Sequence, residues 1–309
     1  MNAQSNKAVL YGSEKGIATI TLNRPAALNA LNAEMVTDLA AAVAAAARDD
    51  GARVVVVTGG EHFMAGGDIK WFKDQLDAEP DKAVIRREFE AFIHPVHDIV
   101  QTMRAMPKPI VAAVRGACAG FGVSLASACD LVVAADDAFF TLAYCLIGVS
   151  PDGGSTYALP RAVGLKRAFE IALLGDRFDG AAAQAAGLIN RVVPVAEFEA
   201  TVRKLAGRLA NGPTHAYGNT KALLNASLGA SLPDQLAAEA ASFAECAATG
   251  EVVRNKGCSQ RDSPPTLTLP LKGGGDTVEE AQSVFPPPLR GRAREGGNGK
   301  KGNRSNGIT

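Results

Sequence analysis

Three short apolar runs in the first half of the chain contain almost no polar residues. They are Val54–Thr58, Ile110–Val114 and Leu131–Ala135. A continuous apolar run of this length is typical of a parallel strand that is covered on both faces. Before them, Ala8–Tyr11 and Ile17–Leu22 predict a hairpin. The pattern therefore predicts an α/β fold with a mainly parallel sheet.

Between and after these runs, the spacing of apolar residues changes to that of helices. Asn32 is a plausible N-cap for the first helix, because its side chain can accept a hydrogen bond from the first turn. We predict an α/β core over residues 1–195 and a helical C-terminal region over 196–258. The stretch 74–106 is predicted to be mostly helical, and a further strand is predicted at 188–193. The other predicted helices are 32–48, 164–174, 179–186, 198–210, 216–227 and 233–248.

Composition excludes several classes of function. The 309 residues are 47% hydrophobic and carry no formal net charge, so neither nucleic acid nor an anionic membrane is expected as a partner. Apolar runs are too short to span a membrane, and the N-terminus has no apolar signal region. The five cysteines lack CxxC spacing and are expected to be reduced thiols. A cytoplasmic location is therefore predicted.

The character of the chain changes near Cys258. Residues 259–309 are rich in Pro, Gly, Arg, Lys, Ser and Asn. Such a segment has too few apolar residues to offset the entropy of ordering, so we predict a disordered tail. Its abrupt onset suggests the hypothesis of foreign coding sequence fused to the domain. Mass spectrometry of the native protein tests this hypothesis. A product that extends to Thr309 would remove support for the view that the tail is only an artefact.

Two glycine-bearing segments follow predicted strands. Gly116, Gly120 and Gly122 come after Ile110–Val114, and an Ala-rich helical pattern follows them. Gly66 and Gly67 come after the predicted strand Val54–Thr58. Glycines at a strand-to-helix turn expose backbone N–H groups where the helix dipole favours negative charge. This predicts an anion site, either for a phosphate or for an oxyanion formed during a reaction.

One interpretation of the glycine turn is a nucleotide site. Gly116, Gly120 and Gly122 with Asp136 after the next strand resemble the dinucleotide turn of a short-chain dehydrogenase, and Tyr217 and Lys221 have the Tyr-xxx-Lys spacing. Against this alternative, the glycines lie more than a hundred residues into the chain. No serine stands at the usual distance before the tyrosine.

Four segments in order resemble the crotonase superfamily, which contains the enoyl-CoA hydratases and isomerases. They are NRPAALNALN at 23–32, HFMAGGDIK at 62–70, the glycine-turn segment at 112–140 and LIGVSPDGGSTYALPRAVG at 146–164. The resemblance implies a crotonase-like spiral of ββα turns with C-terminal helices that form a homotrimer or a dimer of trimers.

The resemblance also implies chemistry on an acyl-CoA thioester. Backbone N–H groups of Gly67 and Phe121 are expected to form the oxyanion hole that stabilises a thioester enolate. No redox cofactor is implied, and coenzyme A is part of the substrate. No metal site is predicted, and His94 and His97 are expected on a solvated helix face. The residues expected near coenzyme A are Ala26, Leu28, Ala65, Asp68 and Ile69.

The chain departs from the family at the reacting centre. Family hydratases hold water with two glutamates, whose positions are here Ser124 and Tyr144. Tyr144 is expected to form a wall of the acyl pocket. Asp152 matches the single catalytic aspartate of certain family isomerases, so it is predicted as the base that shifts an enoyl-CoA double bond. An enoyl-CoA hydratase and a non-catalytic acyl-CoA-binding scaffold remain as alternatives.

Overall fold

The computed structural model describes residues 7–249 and contains a six-stranded sheet beside a three-stranded one. The large sheet has the order β1-β2-β3-β4-β6-β9, and the small sheet has the order β5-β7-β8. The β1–β2 pair is antiparallel, and the other neighbours in the large sheet are parallel. The strands are β1 Val9–Glu14, β2 Ile17–Leu22, β3 Val54–Thr58, β4 Ile110–Val114, β5 Ala117–Ala119, β6 Leu131–Ala135, β7 Phe139–Thr141, β8 Phe178–Asp179 and β9 Arg191–Val193.

Ten α-helices surround these sheets in the described part of the chain. None of them could span a membrane. Short 3-10 turns occur at Pro25–Ala27 and Tyr144–Ile147. The helices are α1 Ala33–Arg48, α2 Ile69–Ala78, α3 Lys82–Ala105, α4 Phe121–Ala128, α5 Ser155–Val163, α6 Leu165–Leu174, α7 Gly180–Ala185, α8 Val195–Ala210, α9 Thr214–Ser227 and α10 Leu232–Ala248.

The large sheet is apolar on both faces, as the continuous runs predict. Val55 and Val57 of β3 face the main core, which also contains buried residues of α1 and α3. Val54 and Val56 of the same strand point the other way and pack with Phe198 of α8. Because successive side chains in a strand alternate between faces, a strand between two helical layers must be apolar at every position. The predicted bounds of β3, β4 and β6 are confirmed.

Several predicted elements have different bounds. The stretch 74–106 is mostly helical, as predicted, but it belongs to two helices, because Pro80 separates α2 from α3 and Asp81 caps α3 by accepting a hydrogen bond from Ala83 N. The predicted strand 188–193 is shorter, since only Arg191–Val193 pairs with β6. The predicted disordered tail, residues 259–309, lies outside the described residues. The boundary at residue 195 coincides with the start of α8 and stays a prediction.

Candidate functional site

The two glycine segments are neighbours in space. Met64 N donates to Ala117 O at 2.9 Å, and Ala119 N donates to Met64 O at 2.8 Å. On its other side, the segment 62–68 pairs with the chain near Leu28, whose carbonyl accepts from Ala65 N at 3.0 Å. The segment therefore lies between two others, and short hydrogen bonds fix it on both sides.

Gly66 and Gly120 touch each other and bring the two predicted donors together. A Cβ on Gly66 would lie 3.2 Å from Ala119 O, and one on Gly120 would lie 3.3 Å from Gly66 Cα. Both glycines have positive φ, +94° and +49°. Gly67 and Phe121 directly follow them. Neither the Gly67 N–H nor the Phe121 N–H has a hydrogen-bond partner among residues 7–249.

The position of Phe121 at the start of a helix makes its N–H a better donor to an anion. Phe121 is the first residue of α4, and Gly120 precedes it without a side-chain cap. The first N–H groups of a helix lack intrahelical partners and carry the positive end of the dipole. Since every residue of α4 from Phe121 to Ala126 is buried, water screens this charge little. Together with the Gly67 N–H, it can stabilise a developing oxyanion.

Asn29 holds in place the segment that carries Gly67, and the sequence patterns did not single this residue out. It is buried and has a left-handed backbone with φ +58°. Its Nδ2 lies 2.9 Å from Gly59 O and 2.7 Å from His62 O, and its Oδ1 accepts from Arg24 N at 2.8 Å. One amide thus joins the turn after β2 to the segment that carries Gly67.

Replacing Asn29 with Ala should lower the free energy of unfolding by about 2–3 kcal/mol, because buried carbonyls lose their donor. The left-handed backbone adds strain for alanine. Urea unfolding measures the change. The control is Asn23→Ala, since Asn23 makes an exposed bond to Lys7 O and its loss should cost under about 1 kcal/mol. Equal losses in the two variants would contradict the role of Asn29.

The residues predicted near coenzyme A differ in what they offer. Ala26, Leu28 and Ile69 are exposed, and Ala65 is half-buried, so these four line an open surface beside Gly67. Asp68 is different because its carboxylate is already engaged. It pairs with Arg24 at 3.1 Å and caps α2 by accepting from Trp71 N at 3.2 Å. Contact between these residues and coenzyme A stays a prediction.

An aromatic cluster covers Gly67. Ring centroids of Trp71 and Phe92 are 4.7 Å apart, and those of Phe72 and Phe89 are 5.7 Å apart. A Cβ on Gly67 would meet Phe72 Cε2 at 2.3 Å, so this ring lies directly against the donor residue. The cluster supplies an apolar wall from α2 and α3, and a Cβ at position 67 would force the Phe72 ring to move.

Asp152 lies beside the other donor residue. A Cβ on Gly153 would lie 2.6 Å from the Phe121 ring and 2.8 Å from Ser124 Cβ. Ser124 Oγ donates to Asp152 O at 2.9 Å, and Ser155 Oγ donates to the same carbonyl at 3.2 Å. The first turn of α4 therefore both presents the Phe121 N–H and holds the backbone of Asp152.

Asp152 is half-buried, and its burial raises the pKa of its carboxyl above the ordinary value. A hydrogen bond from Tyr144 and the nearby His97 oppose this effect. Tyr144 Oη donates to Asp152 Oδ1. Burial and the adjacent carboxylate raise the pKa of Tyr144, so its hydroxyl stays protonated. Of the two histidines expected on a solvated helix face, His94 is exposed as expected, whereas His97 is half-buried near Asp152.

The Tyr-xxx-Lys pair of the dehydrogenase alternative has a structural explanation. Lys221 is buried, pairs with Asp130 at 2.9 Å and donates to Met103 O at 2.7 Å. These bonds tie α9 to the core and leave the ammonium group inaccessible to a substrate. The dehydrogenase alternative therefore loses its catalytic lysine.

Comparison with known proteins agrees with this geometry. The sequence matches the family described as Enoyl-CoA hydratase/isomerase over residues 12–260. A probable enoyl-CoA hydratase from Rhodobacter capsulatus is 39% identical over 238 residues, which cover 76% of this chain and 88% of that protein. A 1,2-epoxyphenylacetyl-CoA isomerase from Escherichia coli is 37% identical over 230 residues, which cover 74% and 86%.

Solved structures agree on the architecture. A putative enoyl-CoA hydratase/isomerase from Mycobacterium abscessus has a TM-score of 0.74 and 33% sequence identity, and the match covers 82% of this chain and 94% of that one. The predicted α/β crotonase-like fold with C-terminal helices is thereby confirmed. Because the similar proteins include both hydratases and isomerases, they indicate no particular subgroup.

Proposed function

The chain belongs to the enoyl-CoA hydratase/isomerase family, and from this premise we propose that it shifts the double bond of an enoyl-CoA with Asp152 as the single base. Removing a proton from the carbon next to the thioester places negative charge on the carbonyl oxygen. The free N–H groups of Gly67 and Phe121 stabilise that oxyanion. Asp152 then returns the proton at the γ carbon.

The observation that carries the proposal is the position of Asp152 against α4. Gly153 packs on the Phe121 ring, and Ser124 holds the Asp152 carbonyl, so the residue that bears this carboxylate lies beside the first turn of α4, which also contains the Phe121 N–H. Asp68 also adjoins a donor residue, Gly67. Its carboxylate is engaged with Arg24 and with the first turn of α2, which makes it a poor proton carrier.

A hydratase is the second candidate, because relatives named as hydratases are as similar as the named isomerase. Hydration needs a water molecule that is held and deprotonated while a proton reaches the neighbouring carbon. At the two positions of the family glutamates, Ser124 donates to a backbone carbonyl and Tyr144 donates to Asp152. Neither side chain is a carboxylate, which favours isomerisation.

Two thioesters distinguish the candidates. Purified protein with a 3-enoyl-CoA should produce the conjugated 2-enoyl isomer, seen as rising ultraviolet absorbance. With crotonyl-CoA, the absorbance should stay nearly constant, since hydration would remove the conjugated double bond. Rapid loss of crotonyl-CoA absorbance with no isomerisation would establish the hydratase instead. Failure of both reactions while an acyl-CoA still binds would favour the non-catalytic acyl-CoA-binding scaffold.

The packing of Gly153 gives a separate prediction. Gly153→Ala should lower isomerase kcat by about 10-fold to 10²-fold, because its Cβ would push the Asp152 loop away from Phe121. Gly148→Ala is the matched control, since Gly148 also has positive φ and lies in the same loop but has open space around it. Steady-state kinetics of both variants measure the effect, and equal losses would show that backbone strain alone is responsible.

We also propose a homotrimer, or a dimer of trimers, in the cytoplasm. Large apolar side chains are exposed in α9, just after its end and in α10, and contact with another copy would cover them: Leu224, Leu228, Leu232, Leu236 and Phe243. The described cysteines are free thiols, which supports a reducing compartment. Light scattering should give three or six times the mass of one chain, and a monomer would contradict the assembly.

A further inference from the structure

The family resemblance predicts that Tyr144 forms a wall of the acyl pocket. In the structure, its hydroxyl also makes a hydrogen bond. Tyr144 begins the 3-10 turn Tyr144–Ile147, and its side chain is buried. The turn is fixed at both ends, because Tyr144 N donates to Leu142 O at 2.7 Å and Val149 N donates to Tyr144 O at 3.2 Å. From this rigid position, Tyr144 Oη donates to Asp152 Oδ1.

The hydrogen bond makes the two carboxylate oxygens of Asp152 inequivalent. Oδ1 accepts from Tyr144, and Tyr144 is the one side chain in the described range that donates to this carboxylate; the backbone N–H of Asp152 itself also favours the ionised form. A carboxylate that takes a proton from one carbon and returns it to another needs one oxygen free of other hydrogen bonds. It must also keep the same orientation toward both carbons. The backbone of Asp152 is already held by Ser124. The tyrosine supplies the remaining constraint, on the side chain.

We propose that Tyr144 is a positioning residue, whose hydroxyl fixes Oδ1 of Asp152 and leaves Oδ2 to exchange the proton. This inference rests on the proposed isomerase function, in which Asp152 is the base. Within residues 7–249, two titratable groups face the carboxylate: Tyr144 from the 3-10 turn and His97 from α3. Ser124 from α4 is neutral. Burial opposes ionisation, and the phenol donor favours it.

Tyr144→Phe tests the inference because it removes the hydroxyl and keeps the ring as a pocket wall. Loss of the donor raises the pKa of Asp152, so the acid limb of the kcat/KM profile should move upward by about one pH unit. Below that limb, activity should fall about tenfold, and well above it the loss should be small, with KM nearly unchanged. An unmoved acid limb would overturn the inference.

Two controls separate this effect from others. Tyr157→Phe removes a phenol from an exposed tyrosine of α5 and should leave the profile unchanged. His97→Gln removes the imidazole near Asp152, and the shift caused by Tyr144→Phe should persist in that background because the phenol acts directly. Disappearance of the shift there would assign the titration to His97 and overturn the inference. Circular dichroism confirms that each variant is folded.

Failure of the inference and failure of the proposed function give different results. If Asp152→Asn abolishes isomerisation and Tyr144→Phe leaves the pH profile in place, only the role of Tyr144 is lost. If Asp152→Asn retains full activity, Asp152 is not the base, and both proposals fail together.

Discussion

Replacing Asp152 with Asn should lower kcat for isomerisation by about 10²–10⁴-fold. An amide cannot accept the proton that leaves the α carbon. The change preserves the local structure, because an amide oxygen can still accept the hydrogen bond from Tyr144 and the backbone carbonyl still accepts from Ser124. Binding of the thioester should change little, since the oxyanion donors at Gly67 and Phe121 are intact. Single-turnover kinetics and equilibrium binding of the 3-enoyl-CoA measure the two effects separately.

Asp98→Asn is the matched control for this substitution. Asp98 is an exposed carboxylate on α3, one residue from His97. Its replacement removes the same charge as Asp152→Asn without changing the proposed site. Its kcat should stay within a few-fold of the original. A similar loss in both variants would indicate a general electrostatic effect, and an undiminished rate in Asp152→Asn would exclude Asp152 as the base.

Replacing Phe121 with Pro should lower kcat by about 10²–10³-fold, because the substitution removes one backbone donor of the oxyanion hole. Phe121 is the first residue of α4, and proline is well tolerated at that position. Gly120 before it has no Cβ to clash with the proline ring. Thus the N–H can be removed without breaking the helix.

Phe121→Ala is the control for the proline substitution. It also loses the ring that Gly153 packs against, but it keeps the N–H. The difference in kcat between the two variants therefore reports the hydrogen bond to the oxyanion. If the Pro and Ala variants have similar kcat and both are folded, the Phe121 N–H does not stabilise the transition state.

The sheet could be predicted from the sequence because its strands are buried on both faces. In β4, all five residues are buried, so no polar position interrupts the run. The first helix was equally clear, since Asn32 caps it by accepting from Met35 N as predicted. These features depend on local pattern alone.

Other elements left little local signal. Helix α5, Ser155–Val163, contains Pro160 and begins with Ser-Thr-Tyr, and no helix was predicted there. Strands β5 and β7 have three residues each and merge with the glycine turn in the sequence. Short strands are defined by their partners, so tertiary pairing decides them more than composition does.

The candidate site likewise has parts that local sequence pattern predicts and parts that depend on tertiary contacts. The glycine turns were recognisable because Gly66 and Gly120 need positive φ, and family order related them to each other. By contrast, the bond between Tyr144 and Asp152 joins residues eight apart across a 3-10 turn, and neither helical nor strand periodicity predicts it. The central role of Asn29 also depends on carbonyls about 30 residues away.

The transfer of hydrogen within the substrate tests the central claim most directly. A 3-enoyl-CoA deuterated at C2 should be converted in ordinary water, in a single turnover, and the product should be analysed by mass spectrometry and NMR. If one carboxylate moves the proton, part of the deuterium should reach C4 of the 2-enoyl product, and Asp152→Asn should give no such product. A product with no deuterium at C4, or continued transfer in the Asn variant, would contradict Asp152 as the single base.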